Sequence, residues 1–272
     1  LMTSFSNKDG VVLLEDFMPV DGAAGEKGRP HSSRIVRRLT GIRGARRMRM
    51  ECTPAFDFAR ESHKATRGGA GVWFTSDSGR RLGVSLPVEC HATVSDGGVT
   101  SEFDMHAGQS LCIVAGLLED GETPIVLTDD LARQQLQVTI DYWKNWLSRC
   151  TYRGRWREMV HRSVLTLKLL TYAPTGAIVA APTCSLPEII GGSRNWDYRY
   201  TWLRDAAFTV YAFIRVGMTA EAEQFMGWIQ DRCNEVVEGE TPNIMYRLDG
   251  GSTIEEEALE HLEGYRDSKP VR

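Results

Sequence analysis

The residues between Asn195 and Asp205 form the segment of this sequence that is richest in side chains able to do chemistry. Eight of these eleven residues are aromatic, Asp or Arg, whereas loops that carry no function consist mainly of small solvated polar residues. Aromatic rings can cover the C–H surface of a sugar, and Arg and carboxylate groups make paired hydrogen bonds to neighbouring hydroxyls. Arg204 and Asp205 also lie near the start of a predicted helix, where the helix dipole favours a carboxylate. The segment therefore indicates a site for a neutral polyol.

The same residue types also permit a purely structural interpretation. Trp196, Tyr200 and Trp202 suit core positions at the point where a loop enters a helical bundle. Arg204 and Asp205 suit a buried ion pair that holds the helix in place. Composition alone leaves both interpretations open.

The order of the residues, unlike their composition, is specific to one family. Asn195–Phe208 reads NWDYRYTWLRDAAF and closely resembles the start of the catalytic barrel in glycoside hydrolase family 15, which includes glucoamylases, glucodextranases and bacterial or archaeal trehalases. The stretch Gly176–Glu188 is similar to the family's loop that leads into this motif, and His261–Arg272 is similar to a later stretch. Leu14–Pro19 and Arg34–Leu39 resemble the sandwich domain that precedes it. The resemblance covers nearly the whole chain, most strongly after Tyr152.

This resemblance implies a multidomain protein of the β-then-α class, in which an antiparallel β-sandwich precedes the first part of an (α/α)6 barrel. It also implies hydrolysis of an α-glucosidic bond with inversion, on a maltooligosaccharide, an isomaltooligosaccharide or trehalose. By motif position, Arg204 and Asp205 are expected to hydrogen-bond the glucosyl hydroxyls. Trp202 and Tyr198 are expected to line or support the pocket, with Trp196 as a weaker candidate.

The acid and base that inversion requires are not identified in this sequence. Inversion needs one protonated carboxyl group to assist the leaving oxygen and one carboxylate to activate water. In the family both are glutamates from later barrel segments, and neither segment has a counterpart here. The 120 residues after Tyr152 are also fewer than the roughly 200 that twelve helices with connections need. The chain is therefore predicted to be a fragment, truncated at both ends.

Other acidic residues and the histidines are weak candidates for a catalytic role. Glu255–Glu257 are predicted to be the solvated face of a helix. Asp197 and Glu188 are expected to contribute to the pocket or to cap a helix. His161 and His261 are predicted to be surface or core residues rather than bases. We assign no catalytic residue, no metal ligand and no cofactor from the sequence.

The apolar pattern divides the chain into three parts. Residues 1–128 alternate short apolar runs with turn signals and are predicted to form the sandwich, with strands that include Arg34–Leu39 and Met48–Cys52 and an exposed loop at Asp21–Ser33. Within Ile35–Leu39 and Arg47–Glu51 the apolar and charged residues nearly alternate, which predicts one row of side chains in the core and the other in water. Turn signals at intervals suited to antiparallel hairpins lie at Lys8–Gly10, Gly68–Gly69, Ser78–Gly79, Asp96–Gly98 and Glu119–Gly121. Residues 129–150 are predicted to be a linker helix capped by Thr128, Asp129 or Asp130. Residues 151–272 are predicted to begin the barrel, with helices near 156–172, 202–216 and 220–237 and no long strand.

Helical spacing also predicts which side chains are buried. The expected stripe of the linker helix is Leu136, Ile140, Trp143 and Leu147, and that of the next helix includes Met159 and Val164. Phe208, Tyr211 and Phe213 are predicted to be core residues of the third helix. The six cysteines are spread without a CxxC pair and are predicted to be buried thiols rather than zinc ligands or disulfides.

Composition excludes several classes of protein. A net charge of −4 argues against binding to nucleic acid, which requires a basic surface. No run approaches the roughly 20 apolar residues of a membrane span, so no membrane partner is predicted. The absence of a signal pattern favours a cytoplasmic location. Oligomeric state is not predicted.

Two alternatives to a hydrolase remain. A carbohydrate-binding or scaffolding protein derived from the enzyme could keep the sugar site without catalysis. A phosphorolytic enzyme with the same domain layout would use phosphate in place of water, although the Asn195–Asp205 motif fits the hydrolases better.

Overall fold

The computed structural model describes residues 1–20, 33–87, 90–237 and 239–271, and divides into two compact units, Leu1–Lys144 and Asn145–Arg272. In the residues that the structure describes, the first unit, here called the β unit, contains nine strands. They are β1 Met2–Ser6, β2 Gly10–Phe17, β3 Arg34–Cys52, β4 His63–Gly68, β5 Gly71–Ser76, β6 Arg81–Ser85, β7 His91–Ser95, β8 Gly98–His106 and β9 Ser110–Leu118.

Every pairing among these nine strands is antiparallel. The main ladder has the order β1-β2-β3-β9-β6-β5-β4, and β7 and β8 form a second ladder that joins it through β3. The first part of β3 pairs with β2 and β9, and its last part, Ala45–Cys52, pairs with β8. Two predicted strands, at Arg34–Leu39 and Met48–Cys52, are therefore one long strand.

Two hydrophobic clusters lie on opposite sides of the main ladder. The larger cluster combines Val72, Phe74 and Ile113 of the main ladder with Val99 and Phe103 of β8, as expected when two β layers share one core. The smaller cluster includes Val36, Val114 and Ala132. This arrangement is consistent with a β-sandwich, and the antiparallel β unit precedes the helices, as the sequence predicts.

An ion cluster marks where the alternation pattern of β3 was misleading. Val36 and Arg38 are both buried, while Ile35 is exposed, so the predicted inward row at Ile35–Leu39 is wrong. The Arg38 guanidinium donates to Glu15 at 2.5 Å and to Asp129 at 2.7 Å. Two carboxylates therefore compensate the buried cation. The alternation at Arg47–Glu51 is confirmed, because the two methionines pack against the core.

The predicted turns lie between strands, with one exception. Hairpins turn at Lys8–Gly10, Gly68–Gly69, Ser78–Gly79 and Asp96–Gly98. The turn at Glu119–Gly121 instead leads out of β9 towards a helix, so its assignment to a hairpin was wrong. The predicted loop at Asp21–Ser33 lies almost entirely outside the described residues.

The helices begin and end near their predicted positions. They are α1 Asp129–Ser148, α2 Arg157–Leu169, α3 Leu203–Arg215 and α4 Thr219–Asn234, with a 3-10 turn at Tyr265–Asp267. Thr128 accepts from the Leu131 amide at 3.3 Å at the start of α1. Gly217, at φ +83°, follows the end of α3, where a residue with a Cβ would be strained. Two-residue strands β10 Thr201–Trp202 and β11 Met245–Tyr246 pair with each other.

Several predictions of burial in the helices are corrected. Ile140 and Met159 are exposed, whereas Thr139 and Val164 are buried. On α3, Phe213 is fully buried, but Phe208 and Tyr211 are 70% and 62% exposed, so they are not core residues of this chain. The core face of α3 consists of Ala206, Val210 and Phe213. Apolar residues at helical spacing define a stripe, but the neighbouring elements decide which part of it is covered.

Two further predictions differ from the structure. Glu255–Glu257 are exposed, as predicted, but they lie in a segment without helix. Cys90, Cys112 and Cys150 are buried and Cys52 and Cys184 are half-buried, as expected for thiols that pack as small apolar groups, but Cys233 is exposed.

A buried carboxylate connects three elements of the helical unit. Glu221 at the start of α4 accepts from the Trp146 indole at 2.7 Å, and its carboxylate lies 3.1 Å from the Lys168 ammonium and 3.2 Å from the Arg149 guanidinium. Burial by itself raises the pKa of Glu221, but the indole N–H and the Lys168 charge outweigh it and hold the pKa below its ordinary value. These contacts link the end of α1 to α2 and α4.

Candidate functional site

The candidate site lies on an irregular hairpin, residues 180–202, that precedes α3. The amides of Ala180, Ala181 and Ser185 donate to the carbonyls of Tyr200, Tyr198 and Trp196, at 2.9, 3.1 and 2.9 Å. The stretch predicted to lead into the motif therefore runs alongside it. These backbone hydrogen bonds fix the direction in which the aromatic side chains leave the loop.

The hairpin ends where β10 passes into α3. Thr201 and Trp202 pair with Tyr246 and Met245, and the Leu203 amide donates to the Ile244 carbonyl at 3.1 Å. Trp202 is extended and α3 begins at Leu203. Arg204 and Asp205 therefore lie in the first turn of α3, as predicted, where a carboxylate is favoured by the helix dipole.

Tyr198 and Trp202 form the aromatic centre of the site. Their rings stack with centroids 5.4 Å apart and planes at 29°. Tyr200 packs edge-on against the same indole at 6.4 Å. All three side chains are partly exposed, so the cluster offers apolar ring surface beside polar groups, as sugar binding requires.

Arg204 and Asp205, which come shortly after Trp202 in the chain, form an incompletely satisfied ion pair. The Arg204 guanidinium lies 3.3 Å from the Asp205 carboxylate, and the two side chains are 79% and 43% exposed. The long contact and the exposure leave most of their donors and acceptors available. This exposure is inconsistent with a buried structural ion pair, which is the alternative interpretation of these two residues.

Asp197 and Arg199 form a second, tighter pair within the motif. Asp197 accepts from the Arg199 side chain at 2.7 to 3.1 Å and from the Arg199 amide at 2.9 Å. Partial burial raises the pKa of Asp197, but the hydrogen bonds from Arg199 outweigh it and lower the pKa below its usual value. Asp197 therefore stabilises the turn around Tyr198 and caps no helix. The same two roles were predicted for Glu188, whose carboxylate lies 2.7 Å from the Arg194 guanidinium on the surface.

Trp196 has a different set of contacts from the Tyr198–Trp202 stack. Its indole N–H donates to Glu256 at 3.3 Å, and the Arg194 guanidinium lies 5.5 Å from the ring centroid. The structure thus brings Tyr198, Trp202, Arg204 and Asp205 into one short region and connects Trp196 to the later segment that contains Glu256.

The described residues contain no group of three or more His, Cys, Asp or Glu side chains that could hold a metal ion. His161 lies on α2 with a buried Nε2 atom, and His261 is exposed.

None of the helices in the described parts of the chain is long and apolar enough to cross a membrane.

The region that contains this site matches a known family. Residues 154–272 match the family model described as Glycosyl hydrolases family 15. This part of the chain is similar to glycosyl hydrolase family 15. The matched residues include the hairpin, α3, α4 and the segment around Glu256, so the family and the geometry indicate the same region.

Three relatives extend the similarity into the β unit. A protein named trehalase from Thermoplasma acidophilum is 36% identical over 274 residues, covering 100% of this chain and 45% of the relative. A trehalase from Mycolicibacterium smegmatis is 31% identical, covering 88% of this chain and 36% of the relative. Trehalase 1 of Sulfolobus acidocaldarius is 30% identical, covering 100% of this chain and 44% of the relative. The chain thus spans less than half the length of these relatives.

Sequence reasoning missed the side chains that fasten the hairpin to the C-terminal segment. The Asn195 amide donates to the Lys269 carbonyl at 2.8 Å, and the Ser268 hydroxyl accepts from the Gly191 amide at 2.8 Å. The partners are more than 70 positions apart, so no local spacing reveals them. The only signal was that both segments resemble the same family.

Proposed function

We propose that this protein is a glycoside hydrolase of family 15 that acts on trehalose, and that the hairpin and the first turn of α3 bind one glucosyl unit. The observation that carries the proposal is the Tyr198–Trp202 stack beside the exposed Arg204–Asp205 pair, within the region that matches the family. The name shared by the relatives supports trehalose over maltooligosaccharides and isomaltooligosaccharides.

Each residue of the site has a distinct proposed role. The rings of Tyr198 and Trp202 cover the apolar face of the glucosyl ring. The Arg204 guanidinium donates to, and the Asp205 carboxylate accepts from, neighbouring hydroxyl groups. Trp196 supports the wall of the pocket from the side of Glu256. The architecture proposed for residues 151–272 is the first part of an (α/α)6 barrel, after a sandwich at 1–128 and a linker helix at 129–150.

Three carboxyl groups of the helical unit suit binding or stability better than proton transfer. A general acid needs a raised pKa so that it is protonated near neutral pH. Three acidic side chains after Lys144, namely Asp197, Glu221 and Asp249, have pKa values below their ordinary values. For Asp249 the main cause is its hydrogen bond from Arg247. We propose that the acid and the base of inversion are carboxylates outside these 272 residues.

Calorimetric titration of the 272-residue protein with α,α-trehalose, maltose and isomaltose tests the site. Arg204→Ala is expected to weaken binding about 10- to 100-fold, because hydrogen bonds from a charged group are lost. Arg215→Ala is the matched control, since it removes an exposed arginine from the other end of the same helix. Trehalose should bind more tightly than the other two sugars. Equal binding by the Arg204 and Arg215 variants contradicts the proposed site.

A turnover assay tests the proposed location of the acid and base. The 272-residue protein is expected to release no glucose from trehalose, maltose or dextran. Sustained turnover that Asp205→Ala abolishes would show that the catalytic carboxylates are within this chain.

A further inference from the structure

The start of the site motif is fastened to a distant segment by three hydrogen bonds. The Gly191 amide donates to the Ser268 hydroxyl at 2.8 Å, the Lys269 amide donates to the Gly192 carbonyl at 3.0 Å, and the Asn195 side-chain amide donates to the Lys269 carbonyl at 2.8 Å. Asn195 and Ser268 are 3% and 6% exposed. We refer to these three hydrogen bonds as the latch.

The C-terminal segment has a backbone shape that brings Ser268 and Lys269 to the hairpin. Arg266 and Asp267 adopt left-handed φ angles of 49° and 61°, which non-glycine residues seldom adopt. A Cβ on Gly264 would lie 1.8 Å from the Ser268 carbonyl oxygen, so the close approach here requires glycine. Strained backbone of this kind persists only where surrounding contacts determine it, and the latch provides such contacts.

The latch lies directly before the residues that form the proposed sugar site. Asn195 is followed by Trp196, whose amide donates to the Ser185 hydroxyl at 3.0 Å. Trp196 also reaches the same distant part of the chain through Glu256. The second arm of the hairpin, which carries the motif, is thus held at its start by the latch and at its end by β10 and α3, and Tyr198 lies between the two anchors.

We propose that Asn195 and Ser268 are positioning residues for the glucosyl site. They touch no sugar themselves, and they hold the hairpin in the shape that presents Tyr198 and Trp202. The inference rests on the proposed function, because it concerns the same site. A hairpin that is already ordered loses less conformational entropy when the sugar binds, so the latch increases affinity.

Substitutions that change one hydrogen bond at a time test this role by trehalose titration. Ser268→Ala removes the acceptor for Gly191 and is expected to weaken trehalose binding about three- to tenfold. Ser268→Thr keeps the hydroxyl and should restore most of the affinity. Asn195→Asp keeps the shape but places an acceptor against the Lys269 carbonyl, so a larger loss is expected. Ser148→Ala is the control, because that hydroxyl caps α1 by a hydrogen bond to Asn145.

Hydrogen exchange on the unmodified protein distinguishes positioning from a merely structural role and needs no variant to fold. Coupling between two sites is reciprocal. If the latch strengthens trehalose binding, saturating trehalose must slow exchange of the Gly191 and Lys269 amides by the same factor of about three to ten. The Thr151 amide, which donates to Val216, should be unaffected.

The outcomes separate this inference from the proposed function. Weaker binding in the Ser268→Ala and Asn195→Asp variants, restored by threonine and accompanied by slower exchange, supports the positioning role. Normal affinity in both variants overturns it, and so does weaker binding without any change in exchange. In either case the proposed function still stands if Arg204→Ala fails to bind trehalose. If the unmodified protein binds no trehalose, the proposed function and this inference are both overturned.

Discussion

Two carboxylates near the starts of consecutive helices, Glu221 and Asp205, have opposite surroundings. The Glu221 side chain is 4% exposed and has Trp146, Lys168 and Arg149 as partners. The Asp205 side chain is 43% exposed and is paired with Arg204 at 3.3 Å. Both lie in the first turn of a helix, so helix position alone does not determine their role.

The number of partners and the degree of burial indicate what each carboxylate does. A buried charge is tolerated only when donors surround it, and it then contributes to the arrangement of the helices. A half-exposed carboxylate with a single weak partner adds little stability, but its acceptors can bind a hydroxyl without first breaking other contacts. We therefore propose that the helical unit separates stability, at Glu221, from binding, at Asp205.

Replacing the buried carboxylate is the strongest test of this contrast. Glu221→Ala leaves Lys168 and the Trp146 indole without their acceptor and is expected to cost about 3 kcal/mol of unfolding free energy. Urea unfolding followed by circular dichroism measures the loss. A cost below about 1 kcal/mol would place Glu221 among ordinary surface ion pairs.

Replacing Asp205, the exposed carboxylate, should weaken trehalose binding and leave stability nearly unchanged. Asp205→Asn is expected to weaken trehalose binding about 10- to 100-fold, because a charged acceptor becomes a neutral one. Its unfolding free energy should change by less than about 0.5 kcal/mol. Calorimetry and urea unfolding on the same preparation provide both values. A stability loss as large as that of Glu221→Ala would remove the distinction between the two residues.

The stabilising effect of Glu221 should depend on pH and decrease on acidification, which is a smaller effect than the two substitutions above. The pKa of Glu221 is lowered in the folded protein, so its stabilising effect is complete above the unfolded-state pKa of about 4.3 and is lost as pH falls through the folded-state pKa. The difference in unfolding free energy between the unmodified protein and Glu221→Gln should therefore be constant near neutral pH and shrink below about pH 4. A difference that grows on acidification would contradict the lowered pKa.

The exposed apolar residues of α3 should show the smallest effect. Phe208→Ser and Tyr211→Ser are expected to change the unfolding free energy of the 272-residue protein by less than about 0.5 kcal/mol, because both side chains face solvent. Phe213→Ala, on the buried face of the same helix, is the matched comparison and should cost about 3 to 5 kcal/mol. Similar costs on both faces would mean that the exposed face is covered.

The sequence indicated the candidate site but not the distant contacts that hold it in place. The order of residues from Asn195 to Asp205 was sufficient to predict the region, and the start of a helix placed Arg204 and Asp205 in its first turn. The partners of Asn195 and Trp196 could not be predicted, because Lys269 and Glu256 approach them only through the tertiary fold. The roles proposed for the five binding residues remain predictions that the experiments above address.

Prediction of the fold succeeded for local signals and failed where distant neighbours decide. Gly217 and Thr128 marked helix ends because their effects involve only adjacent backbone. The buried face of a helix depends on what packs against it, so Met159 and Phe208 were assigned to the core incorrectly. Arg38 was expected in solvent, but two carboxylates from other elements compensate its charge within the β unit.

Strand β3 pairs with three other strands, and this affects how the β unit folds during synthesis. It pairs with β2, which precedes it, but also with β8 and β9, which end at His106 and Leu118. Contacts between such distant segments form late, because chain closure over long separations costs entropy. During synthesis, a β2–β3 hairpin therefore has an open edge until Leu118 has left the ribosome. An open edge of this length invites pairing with other chains, so the nascent β unit is most vulnerable to aggregation in that interval.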